Sequence, residues 1–225
     1  MEAVHDRPVT AYFDVDHTLT QFGTLESFLR FYAATPSGAI VAERVDPLLA
    51  LAAQTSDLHE IHQAYARTFR GESWARLRDA GVQWHASVSY SLYQPVTVNA
   101  LRAHANQAHT VVFVSGSWAP CLEPIARDLG VGAILQSVPG LEADGDTLDG
   151  TFNVTMLAAG KAAAARAHAA KTGSHLADAF AYGDHRSDED LLRVVGNPVV
   201  VGNDLHLRKI ARDLDWSVLQ SYDGG

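Results

Sequence analysis

The chain has 225 residues, 47% of them hydrophobic and 19% charged, with a formal net charge of −9. That length suits one domain or a core with an insertion, and the apolar content supports a packed interior rather than disorder. The negative charge disfavours a nucleic-acid partner, which needs a basic footprint, and no apolar run approaches the roughly 18 residues of a membrane span.

Residues 9–15 (VTAYFDV) are β-branched, aromatic and few, which predicts a buried strand. A helix is expected over 24–34, with Leu25, Phe28, Leu29 and Tyr32 at helical spacing. The segments 38–54, 57–70 and 72–89 keep that spacing, with breaks at Thr35–Gly38, Thr55–Asp57 and Gly71–Ser73. After Pro95 the texture changes. A helix over 97–108 precedes a strand over 110–115 (TVVFVS), and a helix over 119–129 is closed by Gly130. Residues 132–137 suggest a strand and 141–155 a hairpin. An alanine-rich helix over 161–171, strands at 178–182 and 198–201, and helices at 187–194 and 205–213 complete the pattern.

Strands alternating with helices predict an α/β fold, a doubly wound, Rossmann-like parallel sheet covered on both faces. The helical stretch between the first two strands is too long for one crossover. It reads as an all-helical cap over 21–95, inserted into a core formed by 1–20 and 96–225.

In such sheets ligands bind beyond the carboxyl ends of the strands. The first strand ends in Asp14-Val15-Asp16-His17-Thr18, the second in Ser115-Gly116-Ser117, and the fourth in Gly183-Asp184-His185-Arg186-Ser187-Asp188. The alanine-rich helix opens on Gly160-Lys161. Lysine occurs only three times, beside fourteen arginines, which makes Lys161 worth inspecting. Asp14 and Asp16 are two apart and share a side of the strand. Two such charges at about 4 Å repel by roughly 4 kcal/mol at an effective dielectric of ~20. Either this is an acidic turn, or a cation holds the pair. Gathered carboxylates suit Mg²⁺, which takes few protein ligands and a phosphate oxygen. A hydroxyl and backbone N–H groups ahead of a helix bind anions, and a lysine adds a movable positive charge. The set as a whole wants a phosphoryl group.

In this pattern the chain resembles the haloacid dehalogenase superfamily, in its phosphoserine-phosphatase-like branch with a helical cap. The residues that carry the resemblance are DVDHTLT at 14–20, VFVSGS at 112–117, Lys161 and YGDHRSDEDLL at 182–192. The resemblance implies a Mg²⁺-dependent phosphatase acting on a small-molecule phosphate ester. Asp14 is then the nucleophile that forms an aspartyl phosphate, and Asp16 the general acid and base. Asp14, the Asp16 backbone carbonyl, Asp184 and Asp188 would hold Mg²⁺. Ser115, the Gly116 N–H and Lys161 would hold the phosphoryl oxygens, and Thr18 would shape the turn. Phosphoryl transfer between metabolites, including mutase action, is the alternative; a non-enzymatic phosphate-binding protein is disfavoured by the complete set of residues, and a receiver-like module does not fit the long helical span between Asp14 and Ser115. Phosphoserine phosphatases carry a glutamate nine residues after the nucleophile, and here that position is Gly23, which counts against phosphoserine.

Other features read as ordinary structure. Asp144-Gly145-Asp146 mimics a calcium loop, but Leu148 takes the next ligand position, so a hairpin turn is expected. His59-Glu60-Ile61-His62 lacks zinc spacing and reads as helix surface. The cap's aromatics, such as Trp74 and Trp84, and its arginines 67, 70, 76 and 78 read as core and solvated face. Any of them lining the site would favour a ring or sugar leaving group. His17 and His185 either contact substrate or pack. The opening MEAVHDRPVT has neither a basic start nor an apolar stretch, so no secretory signal is expected. The single cysteine, Cys121, excludes an internal disulfide, fits a cytoplasmic location and reads as a small buried hydrophobe. The oligomeric state is left open.

Overall fold

A computed structural model describes residues 8–220; the leader expectation at the N-terminus falls mostly outside them. The first strand, β1 (Thr10–Phe13), is buried at every residue. Tyr12 packs in one core with Val112 and Val114, while Ala11 and Phe13 pack in the other with Phe113. Burial on both faces explains why the strand reads as a continuous apolar run rather than an alternating one.

From β1 the chain runs through α1 (Thr24–Ala33), α2 (Ala39–Ala42), α3 (Val45–Gln54), α4 (Leu58–Thr68) and α5 (Trp74–Leu92). Helix α6 (Pro95–Asn106) then leads into β2 (Thr110–Ser115). Next come α7 (Ala119–Leu129), β3 (Ala133–Gln136), and a hairpin of β4 (Val138–Leu141) and β5 (Leu148–Val154). The remainder is α8 (Ala159–Thr172), β6 (Phe180–Gly183), α9 (Glu189–Val194), β7 (Asn197–Val201), α10 (Leu205–Asp213) and β8 (Ser217–Leu219).

The main sheet has the order β3-β2-β1-β6-β7-β8, and each neighbouring pair is parallel. Thr10 pairs with Thr110 on one side of β1, and Phe13 with Tyr182 on the other. The winding reverses between β1 and β6, so the crevice of a doubly wound sheet opens at their carboxyl ends. One face is covered by α8, α9 and α10 through Ala165, Leu191, Leu192 and Leu207. The other face is covered by α6, α7 and the helical insertion. In α8, Ala162, Ala165 and Ala169 face inward. These small side chains bring the helix close enough for the Tyr12 hydroxyl to donate to the Ala165 carbonyl at 3.2 Å.

The elements follow the expected order, with local differences. The stretch 38–54 is not one helix. It breaks between α2 and α3, where Arg44 turns to donate to the carbonyls of Thr68 and Arg70, both at 3.0 Å. Those carbonyls lie at the end of α4, which leaves acceptors unpaired, so a tertiary bond offsets the lost helical continuity. Helix α5 starts at Trp74 because the Ser73 hydroxyl accepts the Arg76 N–H. The hairpin begins earlier than expected, at Val138, and its register shifts around Pro139, which has no N–H to give a ladder. Strand β8 was not expected: it is a three-residue edge with too little pattern to read. Among the described residues, no helix is long and apolar enough to cross a membrane.

Candidate active site

After β1 the backbone folds tightly around one atom. The Val15 carbonyl accepts the N–H groups of Thr18, Leu19 and Thr20 at 3.2, 2.9 and 3.0 Å, and the Thr20 hydroxyl at 3.0 Å. Val15 is driven into the core, while Asp14 and Asp16 both face the crevice. His17 follows in the left-handed region at φ 59°, a conformation that His tolerates better than most residues. On the neighbouring strand, Gly183 leaves room for Asp188, whose Cβ a side chain at that position would strike.

Three carboxylates converge. One oxygen each from Asp14, Asp184 and Asp188 lies within 4.8 Å of the others. The Lys161 Nζ sits 2.5 Å from Asp14 Oδ1 and 2.6 Å from Asp188 Oδ1. Lys161, Asp14 and Asp188 are 3%, 4% and 1% exposed, so these charges are almost out of water. Burial holds the Asp14 carboxyl well above the usual range; Lys161 opposes the rise, and Asp188, Asp184 and Asp16 add to it. Burial alone would lower the Lys161 ammonium, but Asp14 and Asp188 more than offset that and raise it. Asp184 is pushed up to about 6 by burial and then by Asp188, against the Thr18 hydroxyl that donates to it at 2.9 Å. Thr18 therefore does more than shape the turn, because it also orients a carboxylate.

Asp16 stands apart from that trio. Its Oδ1 accepts the Thr24 N–H at 2.5 Å, and its Oδ2 lies 3.5 Å from the Ser115 hydroxyl. Gly23 precedes α1 and offers no side chain to cap it, so a core carboxylate caps the helix instead. Ser115 is fully buried and also accepts the Ser117 N–H at 3.0 Å. At this point the crevice wall is Gly116. Neither serine caps α7, whose N-cap is Trp118 without a side-chain bond; Ser117 instead meets the Thr24 hydroxyl at 2.8 Å.

The crevice is a cavity of about 400 Å³ lined by Asp14, Asp16, Gly116, Lys161, Asp184 and Asp188. The helical insertion closes it from above with Leu25, Glu26, Leu58, Ile61 and His62. His17 and His185 both line it; the His185 Nδ1 accepts the Ser187 N–H at 3.2 Å, while His17 is exposed. His62 corrects the expectation of helix surface. It is buried, with Nε2 3.2 Å from the Gly116 carbonyl and Nδ1 2.9 Å from the Leu58 carbonyl. Burial lowers its proton affinity, against the pull of the two carbonyls. The signal was present in the sequence: His62 stands three residues before Tyr65 and seven before Phe69, on the apolar face of α4.

The cap arginines and aromatics lie elsewhere. Arg78 pairs with Glu123, Arg76 reaches Glu72, and Trp74 packs on Trp118. Among the described residues no Phe, Tyr or Trp lines the main cavity, while Phe22 borders the second cavity beside it. Asp144 makes a turn, accepting the N–H groups of Asp146 and Thr147. Asp146 then accepts from the Ser73 hydroxyl at 2.6 Å and the Ala75 N–H at 2.8 Å, pinning the hairpin to the start of α5. Cys121 is buried and free.

A doubly wound sheet with charged groups at its switch point and a helical insertion above them defines an α/β enzyme with an inserted cap. The chain belongs to the haloacid dehalogenase-like hydrolase family, whose sequence model matches residues 11–193. It is 27% identical over 227 residues to the phosphoserine phosphatase SerB1 of Mycobacterium tuberculosis, covering 95% of this chain and 71% of that one. A crystal structure of a Bordetella pertussis protein of unknown function superposes with a TM-score of 0.81 at 22% identity, over 94% of this chain and 98% of that one. A phospho-aspartyl intermediate analogue of phosphoserine phosphatase superposes at 0.65 with 15% identity, over 95% and 93% of the two chains. These structures share the fold.

Proposed function

We propose that the protein is a Mg²⁺-dependent phosphatase that hydrolyses a small-molecule phosphate monoester through an aspartyl phosphate on Asp14. The observation that supports this best is the convergence of Asp14, Asp184 and Asp188 within 4.8 Å on the floor of a cavity at the sheet's switch point. Family membership and a relative named as a phosphatase support the same reading.

The donor set fits Mg²⁺: all-oxygen, acidic and gathered on one side. Asp14, Asp184, Asp188 and the Asp16 backbone carbonyl would hold the ion. When bound, it supplies positive charge against the phosphoryl oxygens and relieves repulsion among the carboxylates. The remaining roles belong to the chain. Asp14 attacks phosphorus and the ester P–O bond breaks. Asp16 gives its proton to the departing alkoxide oxygen. Asp16, now a carboxylate, then takes a proton from water, which attacks the phosphorus of the aspartyl phosphate. Inorganic phosphate leaves and Asp14 is restored. Lys161 opposes the effect of burial on Asp14 and neutralises charge as it builds on phosphorus oxygens. Gly116 offers its N–H from the cavity wall. Ser115 takes a phosphoryl oxygen once its hydroxyl turns from Asp16. The segment 21–95 acts as the cap that selects the leaving group.

The phosphoserine activity in the relative's name is not carried over, because Gly23 leaves nothing at that position to read an ammonium group. Free phosphate release from a panel of esters with Mg²⁺, for wild type and Asp14→Asn, tests the proposal. Asp14→Asn should lose at least about 10³-fold in kcat; unchanged turnover would overturn it. Transfer to an added metabolite without free phosphate would point to a phosphotransferase.

A further inference from the structure

The cavity has two chemically different ends. Its floor carries the carboxylates and Lys161. Its upper wall is aliphatic: Leu25 from α1, Leu58 and Ile61 from α4, and Leu157 from the loop before α8. Leu58 and Ile61 are three residues apart and share a face of α4. Leu25, Leu58 and Ile61 are only half-buried, so apolar surface is left facing the site with nothing packed on it.

Polar recognition of a leaving group has few means here. Among the described residues Lys161 is the only lysine or arginine lining the cavity, and it is held by Asp14 and Asp188. His62 directs its Nε2 at the Gly116 carbonyl. Glu26, at the rim, is paired with Arg30 at 2.8 Å, so the pair carries no net charge. Among the described residues the aliphatic wall itself therefore offers a leaving group no charged partner; the polar side chains His17, His185 and Ser187 lie on the core side of the cavity. Past Gly23 lies a second cavity of about 370 Å³, bordered by Phe22, Ser27 and Arg30 and by His17, Gly23 and Glu26, which line both cavities.

We infer that the substrate is the phosphate monoester of an uncharged aliphatic alcohol, whose hydrocarbon part lies against Leu25, Leu58, Ile61 and Leu157. This rests on the phosphatase assignment of the same site. Pockets of this kind take most of their binding energy from apolar contact, with a few polar groups fixing orientation.

Free phosphate release is measured for the n-alkyl phosphates from methyl to hexyl, beside O-phosphoserine and glucose 6-phosphate, with Mg²⁺ present. Each added methylene should raise kcat/KM by about fourfold over the first few carbons. Butyl phosphate should outrun both polar esters. Leu58→Gln with Ile61→Asn should cut the increment to about twofold or less per methylene, a slope that does not depend on the total activity retained. A flat or falling series, or faster turnover of phosphoserine or glucose 6-phosphate than of butyl phosphate, overturns the inference alone if Asp14→Asn abolishes that turnover. If wild type and Asp14→Asn are equally inactive on every ester, the phosphatase assignment fails and takes this inference with it.

Discussion

His62, on the helical insertion, places Nε2 3.2 Å from the carbonyl of Gly116, on the loop that follows β2. The N–H of the same peptide, on Ser117, donates to the Ser115 hydroxyl at 3.0 Å. One peptide is therefore held from both sides, by the cap and by the core, and the direction of the neighbouring Gly116 N–H follows from it. Gly116 is small for this reason: an added Cβ would lie 2.9 Å from Leu157 Cδ2 and 3.0 Å from His62 Nε2. In the Nε2–H tautomer His62 donates to this carbonyl, so His62→Phe leaves it unpaired, at a cost of about 1–3 kcal/mol. KM and the inhibition constant for inorganic phosphate should each rise roughly tenfold, more than kcat falls. His62→Gln, which keeps an N–H, should recover part of the loss. Steady-state kinetics on the three proteins checks this, and an unchanged KM in His62→Phe would count against the clamp.

Lys161 stands between two buried carboxylates, and its removal leaves them facing each other. Breaking a buried pair in this way costs about 3–5 kcal/mol. A divalent cation at the same carboxylates can replace the missing charge, and it stabilises the folded state by binding there alone. Lys161→Met should melt well below wild type in EDTA, and Mg²⁺ should raise its melting temperature by more than it raises that of wild type. Asp184→Asn should lose most of the Mg²⁺ response. Scanning calorimetry with and without the ion reads both effects. Equal Mg²⁺ shifts in wild type and Lys161→Met would show that the lysine and the cation do not share carboxylates.

What the sequence could show was local. β1 announces itself because burial on both faces selects an unbroken apolar run, and the polar residues that end β1, β2 and β6 stand out against such runs. Lys161 stands out because lysine is rare here. Partners are another matter, since a linear pattern gives the face of a residue and not what meets it. Nothing near Thr18 points to Asp184, whose carboxylate its hydroxyl reaches across 166 positions. Asp16 as the cap of α1 follows only once Gly23 is known to sit beside it in space. Asp146 looks like a plain turn residue until the hairpin is laid against Ser73. His62 was hidden by the exposed His59 and Glu60 beside it, although its spacing to Tyr65 and Phe69 marked it as inward.

Gly81 lies where α5 crosses α7, and an added Cβ would overlap the carbonyl oxygen of Pro120. Backbone cannot yield as a flexible side chain can, so α5 must move. Gly81→Ala should destabilise the protein by about 1–3 kcal/mol, in the range found for overpacked cores. Helix α5 belongs to the insertion and α7 to the core, so kcat/KM should fall with stability. Chemical denaturation and kinetics of the one variant give both numbers. A midpoint equal to wild type would mean that the two helices have slack at this crossing.

His104, on α6, lies beneath the sheet against Phe13, Phe180 and Tyr182. Its Nε2 is 3.0 Å from the Tyr182 hydroxyl and its Nδ1 is 2.8 Å from the Nδ1 of His109. Burial, and then His109, lowers its pKa to about 4. An unfolded histidine titrates near 6.5, so above that pH both states are neutral and the group contributes nothing. Between about 6.5 and 4 the unfolded chain binds a proton that the native protein refuses, and stability falls with pH. From pH 7.5 to 5 this amounts to at most about 2 kcal/mol. His104→Gln cannot titrate, so its urea midpoint should fall less than that of wild type over the same interval, even if it starts lower. Parallel pH dependences for the two proteins would mean that His104 takes up its proton without unfolding the core around it.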